Sequence, residues 1–152
     1  MVIRDNIPFP QADDFNKIIK ILNIDDLRIL KSKECISNIL GGIAERQAQY
    51  YLSACMYLDI IDRDRNLTEF GIYLRNISRL NQEIELAAKI VSLDIFGYIF
   101  FLEKKLQTKL NKDEVVDIMK KYINFESEEM YKRRAQTIIK WVEWINNSFD
   151  LN

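Results

Sequence analysis

The chain has no histidine. That absence removes Ser-His-Asp and Cys-His nucleophilic machinery and every His-containing metal site. Its two cysteines, Cys35 and Cys55, are too few and too far apart for a disulfide framework or a zinc site. Cys55 falls on an apolar helical face and reads as a small core residue. Only four glycines and two prolines punctuate 152 residues, which favours a mostly helical chain with short loops. There is no glycine-rich phosphate loop, and the isolated Gly41-Gly42 pair reads as a helix stop and turn. Long apolar runs are missing too: the most apolar stretch, residues 90–102, contains Asp94 and is too short to span a bilayer. The opening, MVIRDNIPFPQADD, is acidic and poor in apolar residues, unlike a signal peptide. The expectation is a cytoplasmic, reduced protein without a membrane partner. Net charge is −1, which argues against avid non-specific phosphate binding but leaves room for a local basic patch.

Two segments resemble each other. Residues 46–58, RQAQYYLSACMYL, and residues 133–145, RRAQTIIKWVEWI, place apolar side chains at five matching positions: Ala48/Ala135, Tyr51/Ile138, Leu52/Ile139, Cys55/Val142 and Leu58/Ile145. That spacing is one face of an α-helix. Three of thirteen positions are identical, among them Arg46/Arg133 and Gln49/Gln136, so the similarity suggests duplication without proving it.

Along the chain, Pro8 and Pro10 fix an extended lead-in over residues 1–12. Asp13 or Asp14 caps a first helix with Phe15, Ile18, Ile19 and Leu22 inside. A helical segment covers residues 25–31, and Ser32 caps the next helix, residues 33–40. The Gly41-Gly42 turn follows, with Ile43 as a hydrophobic plug before a helix over residues 44–58. Ile60-Ile61-Asp62 is β-like, and residues 63–66 turn the chain back toward Thr68, a helix cap for an inner face of Phe70, Tyr73, Leu74 and Ile77. In the second half, residues 82–91 and 93–106 read as helices, although IFGYIFFL (residues 95–102) is also β-prone. Asn111 caps residues 112–122, and Ser127 opens a last helix to about residue 147.

The stretch ILGGIAERQAQYYLSACMYLDIIDRDRNLTEFG resembles bacterial winged-helix domains. Its parts are a short helix, a Gly turn, a recognition helix, the Ile60-Ile61 pair, a wing over residues 62–66 and Leu67-Thr68-Glu69-Phe70-Gly71. Many relatives have glycine before the hydrophobic pair; here Asp59 stands there, a residue that tolerates the left-handed conformation. The segments IELAAKIVSLDIFGYIFFLEKK, NKDEVVDIMKKY and MYKRRAQTIIKWVEWI resemble the C-terminal winged-helix region attached to some type II restriction enzymes. The resemblance implies a DNA-binding or specificity module of such a system, with catalysis elsewhere.

The fold expected is therefore mainly α: a winged helix-turn-helix with a short β-hairpin wing over residues 1–80, and a second, wingless helical lobe over residues 81–152 packed on it. On the first recognition helix Arg46, Gln47, Gln49, Tyr50 and Ser53 lie off the apolar face. Gln suits adenine, Arg suits guanine or phosphate, and Tyr can donate to phosphate; the competing reading is a solvated polar face. Arg63 and Arg65 could reach backbone or minor groove, or be neutralised by Asp62 and Asp64. Lys132, Arg133, Arg134 and Lys140 form the densest basic patch, opposed by possible ion pairing to Glu126, Glu128 and Glu129. Trp141, Trp144, Tyr57, Tyr73, Tyr98, Phe100 and Phe101 read as core or interface residues rather than base-stacking platforms. Asp94 with Glu103 and Lys105 echoes a nuclease metal pattern, but on a helix the acids would stand about two and a half turns apart. The pattern reads as chance, and the sequence asks for no cofactor or metal. Duplex DNA is the expected partner; the alternative is a protein-interaction module or homodimer.

Overall fold

The computed structural model describes residues 7–151; the first half of the extended lead-in lies outside the described residues. Among the described residues eight α-helices follow one another: α1 (Phe15–Leu22), α2 (Lys33–Ile39), α3 (Glu45–Tyr57), α4 (Glu69–Arg75), α5 (Arg79–Ser92), α6 (Asp94–Leu106), α7 (Lys112–Tyr122) and α8 (Glu128–Ser148). One 3₁₀ turn, Leu27–Lys31, precedes α2. Among the described residues, no helix is long and apolar enough to cross a membrane.

Local chemistry sets most of the helix starts. Asp14 accepts from the Asn16 amide, Ser32 from Cys35, Thr68 from Gly71, Ser78 from Asn81 and Ser127 from Met130. Asn111 and Glu114 close a reciprocal capping box on α7, and each such cap is worth about 1 kcal/mol. Gly41 and Gly42 both take positive φ, 91° and 77°, which folds α3 back across α2. The β-prone run 95–102 lies wholly inside α6, where Ile95, Phe96, Ile99 and Phe100 are buried at helical spacing.

The wing is not formed. Among the described residues its only trace is a single antiparallel bridge, Ile61 to Leu67. Geometry explains the shortfall. Ile60 is anchored in the core and Thr68 already caps α4, so one residue on each side is left to pair. The intervening turn is held by the Asp62 carboxylate, which accepts from the Asp64 and Asn66 amides at 2.9 and 3.0 Å. Asp59, standing where many winged-helix domains have glycine, is left-handed with φ 62°. Gly71 has a different constraint: a Cβ there would lie 2.2 Å from the Ile60 carbonyl oxygen, so only glycine lets α4 dock on the end of the Ile60-Ile61 pair.

The core draws on both halves of the chain. Trp141 is fully buried, stacked on Phe96 at 4.9 Å and set edge-on to Phe15 at 5.3 Å. Trp144 is half-buried against Phe15, 4.3 Å away. Residues 7–14 run over this core as an extended strap. Ala12 accepts from the Trp141 indole N–H at 2.7 Å, the Thr137 hydroxyl donates to Asp13 at 2.7 Å, and the Asp14 amide donates to the Tyr51 hydroxyl at 3.1 Å. Tyr57 and Phe100 are buried as expected. Three other expected core aromatics are not: Tyr73, Tyr98 and Phe101 are 48%, 45% and 59% exposed. Tyr73 turns its hydroxyl to Glu85 at 3.1 Å, while the Tyr98 ring lies beside that of Tyr122, 5.8 Å away.

Candidate nucleic-acid interface

Of the ten side chains on the matched apolar faces of α3 and α8, nine are buried and Ile139 is half-buried. Both helices therefore sit on the core by the same face. Their N-terminal halves project side by side and, with the strap and the start of α7, enclose a cleft of about 680 Å³. Arg46, Gln47 and Tyr50 come from α3, and Lys132, Arg133 and Gln136 from α8. Gln11 and Asp13 of the strap, Lys17 of α1, Tyr51 of α3, Lys112 of α7 and Glu129 of α8 complete the lining. Five cations thus face two carboxylates, in a chain whose net charge is −1. One carboxylate, Asp13, is already engaged by Thr137.

Among the described residues, five cations outside the cleft are held by carboxylates: Arg28, Arg79, Lys89, Lys120 and Lys140. Among the described residues, Lys17, Arg46, Lys112, Lys132 and Arg133 form no ion pair. Arg46 instead donates to the Tyr50 hydroxyl at 2.9 Å, and Arg133 donates to the Gln11 side-chain Oε1 at 3.5 Å. Lys17 lies over the Tyr51 ring at 5.8 Å. The Tyr51 phenol is pushed above its ordinary pKa, chiefly by burial, so it stays neutral beside the cations.

Of the residues singled out in the sequence, Arg46, Gln47, Tyr50, Lys132 and Arg133 converge on this cleft. Others are drawn elsewhere. Ser53 is buried, 8% exposed, and accepts from Gln49 at 3.1 Å. Arg65, left-handed at φ 62°, folds back to the other end of the Gln49 amide at 3.0 Å. Arg65, Gln49 and Ser53 therefore form a brace between the turn and α3 instead of a free reading surface. Arg63 is exposed on the same turn. Arg134 points inward, 4.7 Å over the Phe125 ring, with its Nε buried and without a partner. Burial, then the neighbouring Arg133, holds its pKa below the usual guanidinium value. Lys140 lies further along α8, beside Glu143 at 3.6 Å, in a separate hollow with Asp14 and Trp144.

Asp94 and Lys105 border one hollow and Glu103 another, and Glu103 is occupied by the Leu110 amide at 2.7 Å. Among the described residues no group of three Cys, Asp or Glu side chains is placed to hold a metal ion. Sequence reasoning missed Lys17, Lys112 and Gln11, which lie on separate elements and meet only through packing. Gln136 was visible as the counterpart of Gln49, yet it lines the cleft while Gln49 does not.

Fold and site together define a mainly helical protein with a cationic cleft between two similar helices. The chain belongs to the family described as a domain of unknown function, DUF7226, whose family model matches residues 17–150. No curated protein and no solved structure matches it.

Proposed function

We propose that the protein is a DNA-binding module of helix-turn-helix type. In this reading α2, the Gly41-Gly42 turn and α3 form the reading unit, and the start of α3 enters the major groove. Arg46, Gln47 and Tyr50 face base edges and the nearest phosphates, while Lys132 and Arg133 of α8 hold the sugar-phosphate backbone passing the cleft. The observation that carries the proposal is the set of five cations without carboxylate partners on one cleft. Phosphates are the common biological partner of such a set, and the chain's slight overall negative charge keeps the attraction local. The resemblance to the C-terminal region of restriction enzymes suggests a specificity role in a restriction-modification or regulatory system. The two free thiols fit a reducing cytoplasm.

Fluorescence anisotropy of labelled duplexes tests the reading. Binding should weaken with salt, with a log–log slope of about −0.9 per phosphate held. Arg133→Gln should make that slope shallower by about one unit. Arg46→Gln should reduce affinity about tenfold or more, whereas Lys20→Gln on the exposed side of α1 should change neither. Absence of binding to varied duplexes at low salt, with protein in the tens of micromolar (about −6 kcal/mol), refutes it.

A second reading has its own observation. Leu80 and Ile84 on α5, with Tyr98 and Phe101 on α6, are large apolar side chains left in solvent, and a protein contact would bury them. Sedimentation equilibrium that shows a dimer, with no duplex binding, favours a protein-interaction module.

A further inference from the structure

The cleft is more than a basic surface. Its exposed rim carries Arg46, Lys132 and Arg133, whereas Gln11, Lys17, Tyr50 and Gln136 are half-buried and make its floor. A row of phosphates needs only the rim. The floor offers what a heterocycle needs: carboxamides that both donate and accept, and an aromatic ring against which a base can stack. The volume of about 680 Å³ lies within the range of small-ligand sites. The walls are fixed without a ligand, because the strap ties α3 and α8 together through Tyr51, Thr137 and Trp141. A site whose walls are already ordered loses less entropy on binding.

We propose that the cleft between α3 and α8 binds a free nucleoside phosphate, with the phosphate at Arg46, Lys132 and Arg133 and the base over Tyr50 with its edge toward Gln11 and Gln136. This inference goes beyond the DNA reading and does not require it. Where both hold, nucleotide and duplex exclude each other, since they share Arg46 and Arg133.

Isothermal titration calorimetry at low salt with AMP, GMP, CMP and UMP tests the site, with inorganic phosphate and adenosine as partial ligands. At least one nucleotide should bind, and at least about tenfold more tightly than phosphate or adenosine alone. Gln136→Ala in the floor and Arg133→Gln at the rim should each weaken that nucleotide about fivefold or more, with unchanged thermal melting as evidence of intact folding. No heat from any of the four nucleotides at about 5 mM (about −3 kcal/mol) overturns the proposal. So does a nucleotide that binds no better than inorganic phosphate. Duplex titrations without nucleotide are read separately: their failure sinks the DNA reading and leaves the nucleotide result standing, and the reverse holds equally.

Discussion

Replacing Trp141 by phenylalanine should loosen the strap and cost a definite amount of stability. The indole N–H donates to the Ala12 carbonyl at 2.7 Å, and both residues are fully buried. Phenylalanine removes the donor and leaves a buried acceptor without a partner, a cost of about 1–3 kcal/mol. It also vacates roughly 40 Å³ beside Phe96 and Phe15, which at about 24 cal/mol per Å³ adds about 1 kcal/mol. The sum is about 2–4 kcal/mol; its midpoint lowers the melting temperature of a chain this size by roughly 6–12 °C. Thr137→Val is the matched comparison. It removes the bond to Asp13 while leaving that half-buried carboxylate in reach of water, so it should cost only about 0.5–1.5 kcal/mol. Urea unfolding followed by far-ultraviolet circular dichroism measures both. Limited proteolysis should also cut within residues 7–14 of the Trp141→Phe protein before the helices are cleaved. A loss below about 0.5 kcal/mol, within the range of ordinary surface substitutions, would refute the view that this bond holds the strap down.

Gly71→Ala should destabilise by about 2 kcal/mol or more, because the added methyl meets the Ile60 carbonyl oxygen at 2.2 Å and that backbone is itself in the core; a melt unchanged within a degree would refute the close docking of α4. Thiol titration of the folded protein should count one reactive cysteine, the exposed Cys35, with Cys55 appearing only on unfolding, since burial pushes its pKa up to about 12. That raised value also sets an alkaline slope. The folded protein keeps the proton that the unfolded chain releases above the ordinary thiol value of 9.0, so stability is full below about pH 9 and falls by about 1.4 kcal/mol per unit as pH rises toward 12. Tyr51, also raised by burial, adds to the loss above its own ordinary value, and Cys55→Ala should flatten the part between pH 9 and 10.

What was legible in the sequence was what is local. Asp14, Ser32, Thr68, Asn111 and Ser127 cap helices because the bond runs to an amide two or three residues on, and spacing alone displays it. The matched apolar faces of α3 and α8 could be read for the same reason. The wing failed because pairing needs length on both sides of a turn, and Ile60 and Thr68 were already committed to the core and to a cap. Arg134 could not be told from Arg133 by composition: neighbouring helical residues point about 100° apart, so one enters the cleft while the other turns onto Phe125. Tyr98 and Phe101 read as core by hydrophobicity, yet α6 has one buried face and theirs is the other. Lys17 and Lys112 belong to helices whose mutual approach only packing decides.

The strap also bears on the order in which the molecule comes into being. Its two closing bonds join residues 124 and 129 positions apart. Closing a loop of that length costs about 2 kcal/mol more than closing one of a dozen residues, and contacts so distant in sequence tend to form late. As the chain leaves the ribosome, α1 to α4 can begin to pack, but the cleft has no second wall until α8 has been made. A partly synthesised protein would carry the α3 half of the site without the cations of α8, so a ligand could be gripped by both walls only once the chain through α8 had folded.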